Sequence, residues 1–316
     1  MQRIKRWRKL LTGFLLIIGV IVARGCVFRP STDFPGSHFN RGNNAIWLGV
    51  EWVNENHAPG EITTLADHLR QRQIRTVFVY SSYWRADGEF SASYEYAGAF
   101  VASLKQTYPE LRVLAWIGLP LKNTGSSNAY HVNLSDPATR QKIVTFCTDI
   151  VSEADFDGIH LDPEPIRSGD DDVLALLDEM RAALPPDTML SIAARRIWPV
   201  YPDTPWPLIG RVAWRGGYYR QIGARVDQMA VMVYDSGLPL AWMYRQWVTF
   251  EVVSISRALE GIDVELLIGI PTSEEATDTH HPGAENMRSG LQGTINGLND
   301  KAARPLAIDG VAIYPA

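Results

Sequence analysis

Eight short apolar runs set the pattern of this chain. They fall at residues 46–52, 76–83, 113–119, 158–164, 189–194, 228–234, 265–271 and 310–314. Most are continuous rather than alternating, as expected for strands of a parallel sheet covered on both faces. Between them, helical spacing of apolar residues predicts helices over 64–72, 94–107, 138–154, 171–184, 240–259 and 285–299. Asp136-Pro137 is a cap followed by proline at the first helical position, a good start signal. The fifth crossover, 199–225, is rich in Pro, Trp and Gly and reads as a loop with a short helix. Strands alternating with crossovers predict an α/β protein, a (β/α)8 TIM-type barrel with its active residues at the carboxyl ends of the strands. A doubly wound open sheet is the alternative. Its glycine-rich phosphate turn is missing, because the first run ends in Val50-Glu51-Trp52-Val53-Asn54. Two residues follow Tyr314, so the eighth helix is expected to be missing, with the linker before Ile46 covering the gap.

The amino end differs from the rest. Residues 10–23 are almost wholly apolar and follow a basic segment, and six of the chain's 30 Lys and Arg lie in the first 26 residues. The run is short for a span of about 20 residues and suits a signal-peptide core or signal anchor. Positive flanking charge predicts that the remainder is exported and membrane-anchored, with the catalytic domain outside the cytoplasm. Lipidation at Cys26 is a weaker reading, because Ala23-Arg24-Gly25-Cys26 resembles a lipobox only loosely. The expected layout is a signal or anchor over 1–28, a linker over 29–44 and one domain over 45–316. The net charge is −5, and −11 without the six basic residues, which argues against nucleic acid as a partner. Cys147 lies in a helical apolar pattern and reads as a small buried residue; no disulfide with Cys26, zinc pattern or cofactor is expected.

The fourth run carries the most chemistry. In Asp157-Gly158-Ile159-His160-Leu161-Asp162-Pro163-Glu164, the residues His160, Asp162 and Glu164 alternate with apolar ones and so share a strand face. Two carboxylates and an imidazole on one face make a poor plain core. They make a good acid–base site.

This run resembles the Asp-Gly-x-Asp-x-Asp-x-Glu signature on strand four of family 18 glycoside hydrolases, the chitinases and endo-β-N-acetylglucosaminidases, with His160 in place of the second Asp. Met232-Val233-Tyr234-Asp235 resembles the family's Met-x-Tyr-Asp on strand six, and Ile268-Gly269-Ile270-Pro271 its Gly-x-Pro on strand seven. The Ser-x-Gly-Gly of strand three is replaced by Ala115-Trp116-Ile117-Gly118, and the Trp that ends strand eight by Tyr314. The resemblance implies a substrate-assisted retaining mechanism on β-linked N-acetylglucosamine glycans, without the usual two-carboxylate pair. It implies Glu164 as the acid, Asp162 as the clamp on the acetamido N–H, and Tyr234 as the donor to the acetamido carbonyl. Asp157 and His160 complete the catalytic group. Asp235 and Met232 would hold the sugar.

Aromatic platforms for sugar rings are expected at predicted strand ends, from Trp52, Tyr83, Trp84, Trp116 and Tyr314. Trp198 and Trp206 lie in the fifth crossover, and Trp47 reads as core. Each of these side chains could equally be packing. Glu51 could serve an ordinary two-carboxylate glycosidase on another sugar. His280-His281 with Glu285 is a conceivable metal set, although a surface pair is the plainer reading and no metal is expected. Asp170-Asp171-Asp172 reads as a helix cap, and Ser81-Ser82 has no nucleophile elbow around it. The functional expectation is an oligo- or polysaccharide substrate. The alternative is a non-catalytic glycan-binding barrel.

Overall fold

The computed structural model describes residues 39–121, 131–197 and 213–315. Eight parallel strands close into one barrel in chain order. They are β1 (Asn44–Leu48), β2 (Ile74–Tyr83), β3 (Arg112–Pro120), β4 (Gly158–Glu164), β5 (Met189–Arg195), β6 (Gln228–Met232), β7 (Glu265–Pro271) and β8 (Gly310–Tyr314). A one-turn helix, α1 (Glu51–Asn54), follows β1. The crossovers carry α2 (Pro59–Gln71), α3 (Ala97–Thr107), α4 (Pro137–Ala154), α5 (Asp171–Ala183), α6 (Gly216–Gly223), α7 (Ala241–Ala258) and α8 (Met287–Leu298). No helix follows β8 among the described residues.

Sequence and structure part at the end of the first run. The first apolar run does not continue as a strand to Trp52. The chain turns at Gly49, and the Val50 carbonyl accepts the N–H of Val53 and of Asn54. Val53, fully buried, then anchors α1 against the barrel. The fifth crossover holds its expected short helix at α6, which buries Tyr218, Tyr219 and Ile222.

Two apolar layers hold the fold. One fills the space between strands and helices. The other fills the barrel lumen with Trp47, Phe78, Leu114 and Leu267, among small residues at Ala45, Ala230 and Ala312. The seam between β1 and β8 closes at Ala45–Ala312 and Ile46–Ile313. Near its base, Arg41 donates to the carbonyls of Pro305 and Leu306, and Asn44 Oδ1 accepts from Val311 N–H. Phe39 packs on the outer layer. The described part of the linker, residues 39–43, therefore sits at that seam. The apolar run 10–23, Cys26, Trp198 and Trp206 lie outside the described residues. No helix among the described residues is long and apolar enough to cross a membrane.

The base of the barrel repeats one device on alternate strands. Asp157, Asp227 and Asp309 each directly precede an even-numbered strand. Their carboxylates accept the N–H of Val113, Leu190 and Leu266 at 2.8, 2.7 and 2.9 Å. Their own N–H groups donate back to the carbonyls of those same three residues. A cation neutralises each: Lys105 at 2.8 Å, Arg181 at 2.9 Å and Arg41 at 3.4 Å.

Asp157 is thus one of three equivalent clamps at the end of the barrel away from the pocket described below. The expectation that it joins the catalytic group is corrected here: its carboxylate satisfies a strand N–H and a lysine. Asp157→Ala leaves a strand N–H without its acceptor, which costs about 1–3 kcal/mol. The variant should melt several degrees lower by calorimetry, while the folded fraction keeps its kcat.

Candidate active site

The carboxyl ends of the strands surround an open cavity of about 180 Å³, room for several waters. Its walls follow from strand alternation. Asp162 and Glu164 project from β4, Ala193 and Arg195 from β5, Trp116 from β3 and Tyr314 from β8. Trp47 of β1 and Met232 of β6 also reach it, with Arg196, Tyr234 and Asp235 from the segments just beyond β5 and β6.

Asp162 is held on one side only. Trp116 Nε1–H donates to its Oδ2 at 3.0 Å, while its buried Oδ1 has no hydrogen-bond partner. Burial raises its carboxyl to about 7, the charge of Glu164 adds to the rise, and the Trp116 bond opposes it. Burial also raises Glu164, with Arg195 pulling it down and Asp235 pushing it up. Two neighbouring carboxyls resist joint ionisation, so the pair holds on to one proton to higher pH than either carboxyl would alone.

Three aromatic rings back the carboxylates. Tyr234 stacks on Tyr314 with centroids 4.8 Å apart, and Trp47 meets both rings edge-on at 6.5 and 5.7 Å. Burial holds the Tyr234 phenol well above its ordinary value, so it is a donor across the working range. Its hydroxyl makes no hydrogen bond with a described residue.

His160 does not reach the pocket. Trp47 Nε1–H donates to His160 Nε2 at 3.1 Å, so that nitrogen is bare and the ring proton sits on Nδ1. From Nδ1 the proton points to Ser191 Oγ at 2.8 Å. Ser191 donates to Gln228 Oε1 at 3.0 Å, and Gln228 Nε2 to Glu265 at 2.9 Å. Glu265 ends the chain in a two-pronged ion pair with Arg112 at 2.8 Å. This one-way relay runs through the lumen from pocket floor to barrel base. Burial drives the imidazole down to about 3, and it stacks on Phe78 at 3.9 Å. A neutral, fully bonded ring cannot trade protons with substrate, so the structure corrects the expectation of a catalytic His160 to that of a positioning residue under Trp47.

Asp235 adopts a left-handed backbone, φ 52°, which Asp tolerates better than most residues. Its neighbours hold that turn. Arg196 Nη1 donates to its carbonyl at 3.1 Å, and Ser236 N–H donates to Glu285 Oε1 at 2.9 Å. His280 Nε2–H donates to the Ser273 carbonyl, which leaves Nδ1 facing Glu285 Oε2 at 3.3 Å and Asp235 Oδ1 at 3.8 Å. These three donors lie within 4.8 Å of one another and could hold a cation. His281 is not in this set.

The remaining expected platforms divide. Trp116 and Tyr314 line the pocket. Tyr83, 42% exposed, lies parallel to Tyr80 at 6.4 Å on the rim, outside the cavity wall. Trp52 and Trp84 are corrected to packing roles. Trp52 rides on α1, stacked on His57 at 4.6 Å and packed on the outer apolar layer. Trp84 is buried edge-on against Phe90, with Lys142 over its ring. Glu51 is exposed on α1 and does not line the pocket. Ser81 and Ser82 donate to the carbonyls of Val79 and Ser91, and Asp170 caps α5 by accepting from Asp172 and Val173.

Four pocket residues were not singled out as site residues from the sequence: Ala193, Arg195, Arg196 and, as a pocket wall, Trp47. For Arg195 the signal existed. Ser191, Ala193 and Arg195 share the lumen face of β5 just as His160, Asp162 and Glu164 share that of β4.

Comparison with known proteins agrees with this geometry. No curated protein matches the sequence significantly. Among solved structures, the chain is similar to the spore cortex-lytic enzyme SleL of Bacillus cereus, at TM-score 0.58 and 12% identity over 86% of this chain and 70% of that one. It is also similar to a class V chitinase mutant from Cycas revoluta in complex with (GlcNAc)3, at TM-score 0.54 and 18% identity over 86% of this chain and 94% of that one. At these identities the shared property is the fold. The profile described as Glycosyl hydrolases family 18 matches residues 53–284, well over half of the chain. With that match on a closed eight-stranded barrel, the chain belongs to family 18 of the glycosyl hydrolases and is a glycosidase.

Proposed function

We propose that this glycosidase cleaves β-linked N-acetylglucosamine glycans with retention, using the substrate's own 2-acetamido group as nucleophile. The observation that carries the reading is the buried, unpartnered Oδ1 of Asp162, set in one pocket with the Tyr234 hydroxyl, which bonds no described residue. An acceptor beside a donor is the complement of an amide, whose N–H and C=O point in opposite directions. A buried lone pair left unmade costs about 1–3 kcal/mol, which an amide N–H removes on binding.

In the proposed sequence, protonated Glu164 gives its proton to the glycosidic oxygen as the C1–O bond breaks. The acetamido oxygen, aligned by Tyr234, closes on C1 to form an oxazolinium ion. Asp162 accepts the ring N–H and balances the new positive charge. Glu164 then takes a proton from water, whose oxygen opens the ring at C1. The Trp116 N–H steadies Asp162, while His160, which replaces the second Asp of the resemblance, bonds Trp47 and Ser191 instead. The Cycas revoluta relative's complex with (GlcNAc)3 supports the substrate class.

The test pairs fluorogenic N-acetylglucosamine oligomers with glucose oligomers of the same linkage and length. Release from the first alone is expected. Equal release from both would mean that the acetamido group takes no part and would favour a two-carboxylate mechanism. The basic and apolar pattern of residues 1–28 supports export with a membrane anchor, and fractionation of expressing cells checks it.

A further inference from the structure

Arg195 stands out in the pocket because, among the described residues, its guanidinium feels the Glu164 charge but is not hydrogen-bonded to it. It is half-buried at the end of β5, between the strand of Glu164 and that of Met232. Its guanidinium makes no hydrogen bond or ion pair with any described residue. Withdrawing a cation from water is expensive, and burial pulls the Arg195 guanidinium down from its ordinary value, with the Glu164 charge opposing it. Arg196 adds a second cation to the same wall, one of its nitrogens spent on the Asp235 carbonyl.

Holding Glu164 does not explain Arg195. An arginine placed for that purpose would pair with the carboxylate and keep it ionised, which is the wrong form for a group that must donate a proton. When Glu164 is protonated and ready, Arg195 loses the nearest carboxylate charge that acts on it. A neutral glycan offers it only hydroxyls. A carboxylate on the substrate offers the two-pronged, charge-assisted bond that guanidinium geometry suits.

We propose that Arg195 is an anion subsite beside the scissile bond and that the preferred substrate is an N-acetylhexosamine glycan bearing a carboxylate. This rests on the N-acetylglucosaminidase reading above. Ala193, one inward position below Arg195 on β5, keeps the wall beneath the guanidinium small.

The test compares three glycans on the full chain. These are neutral N-acetylglucosamine oligomers, strands alternating N-acetylglucosamine with N-acetylmuramic acid, and the same strands with the lactyl carboxylate methyl-esterified. The acidic strands should exceed their esters in kcat/KM by about 10–100-fold, the range of one charge-assisted bond. In Arg195→Gln that ratio should collapse, and Arg195→Lys should recover part of it. Calorimetric binding of acid and ester to Glu164→Gln reads the same preference without turnover, so it remains informative if no N-acetyl glycan is cleaved and the functional reading falls. It also needs no Arg195 variant to fold. Equal handling of acid and ester by the unsubstituted chain overturns the proposal. So does an unchanged ratio in Arg195→Gln with only a shifted pH profile on both substrates, since Arg195 would then serve Glu164.

Discussion

Glu164→Gln lowers kcat by about 10²–10⁴-fold, the range expected for losing a positioned general acid, while glycan affinity stays within a few fold. The amide keeps the shape and one acceptor of the side chain but has no proton to give to a leaving sugar. Glu164 sits at the pocket mouth, and its carboxyl is raised by burial with Asp235 adding to the rise. The transferable proton, held more tightly because burial raises the carboxyl, is therefore the property the substitution removes. Substrates with a good leaving group need less proton transfer, so an activated aryl glycoside should lose less rate than a natural oligosaccharide. Steady-state kinetics on both, with calorimetric affinity for the oligosaccharide, provide the measurement. An equal fall on both substrates would show that Glu164 does something other than protonate the leaving oxygen.

Asp162→Asn has the second largest effect and separates catalysis from stability. The charge that balances the oxazolinium ion is lost, so kcat falls by about 10²–10³-fold, the scale of one preorganised electrostatic contact. The pH profile changes with it. In the unsubstituted protein the pair is active with one proton, so the rate falls at low pH when both carboxyls are protonated and at high pH when both are ionised. Removing the Asp162 charge eases ionisation of Glu164, so the alkaline limb moves to lower pH. Folding responds in the opposite direction. The Asp162 carboxyl is raised in the fold from 3.8 to about 7. The stability associated with its protonated form is fully present below 3.8 and is lost as pH rises through about 7. Asn carries no charge to desolvate. The variant should therefore melt higher than its parent at pH 8, with the gap closing toward pH 4. A variant that melts lower at pH 8 would show that Asp162 is held by contacts other than the Trp116 bond.

The resemblance to the family signature and the geometry of the barrel weigh the same eight residues differently. Asp157 to Glu164 is one motif in the sequence, but it spans the height of the barrel. Its first Asp clamps the base, His160 lies in the lumen, and Asp162 and Glu164 reach the pocket. Alternation along the strand told which residues share a face. It did not tell how high each stands relative to the floor, because that height is set by stagger between neighbouring strands. The aromatic candidates failed for a related reason. Trp52 and Trp84 follow apolar runs, yet α1 and the loop packing around Phe90 carry them into packed layers.

The order of strands and helices, the closed architecture and the convergence of Asp162, Glu164, Tyr234, Asp235, Met232, Trp116 and Tyr314 on one pocket were legible in the chain itself. Apolar periodicity and strand alternation are local properties, and a parallel barrel converts them into a lumen face and a carboxyl end without further information. Which of those polar residues are spent and which are free was decided only by tertiary structure. The tautomer of His160 depends on Trp47 and Ser191, 113 and 31 residues away in the chain. The free oxygen of Asp162 depends on where Trp116 places its single N–H. The setting of Arg195, beside Glu164 yet hydrogen-bonded to no described residue, depends on how β4 and β5 meet at the pocket. Hydrogen bonding and desolvation act over a few ångströms of space, and closure of the barrel, not spacing along the chain, determines those few ångströms.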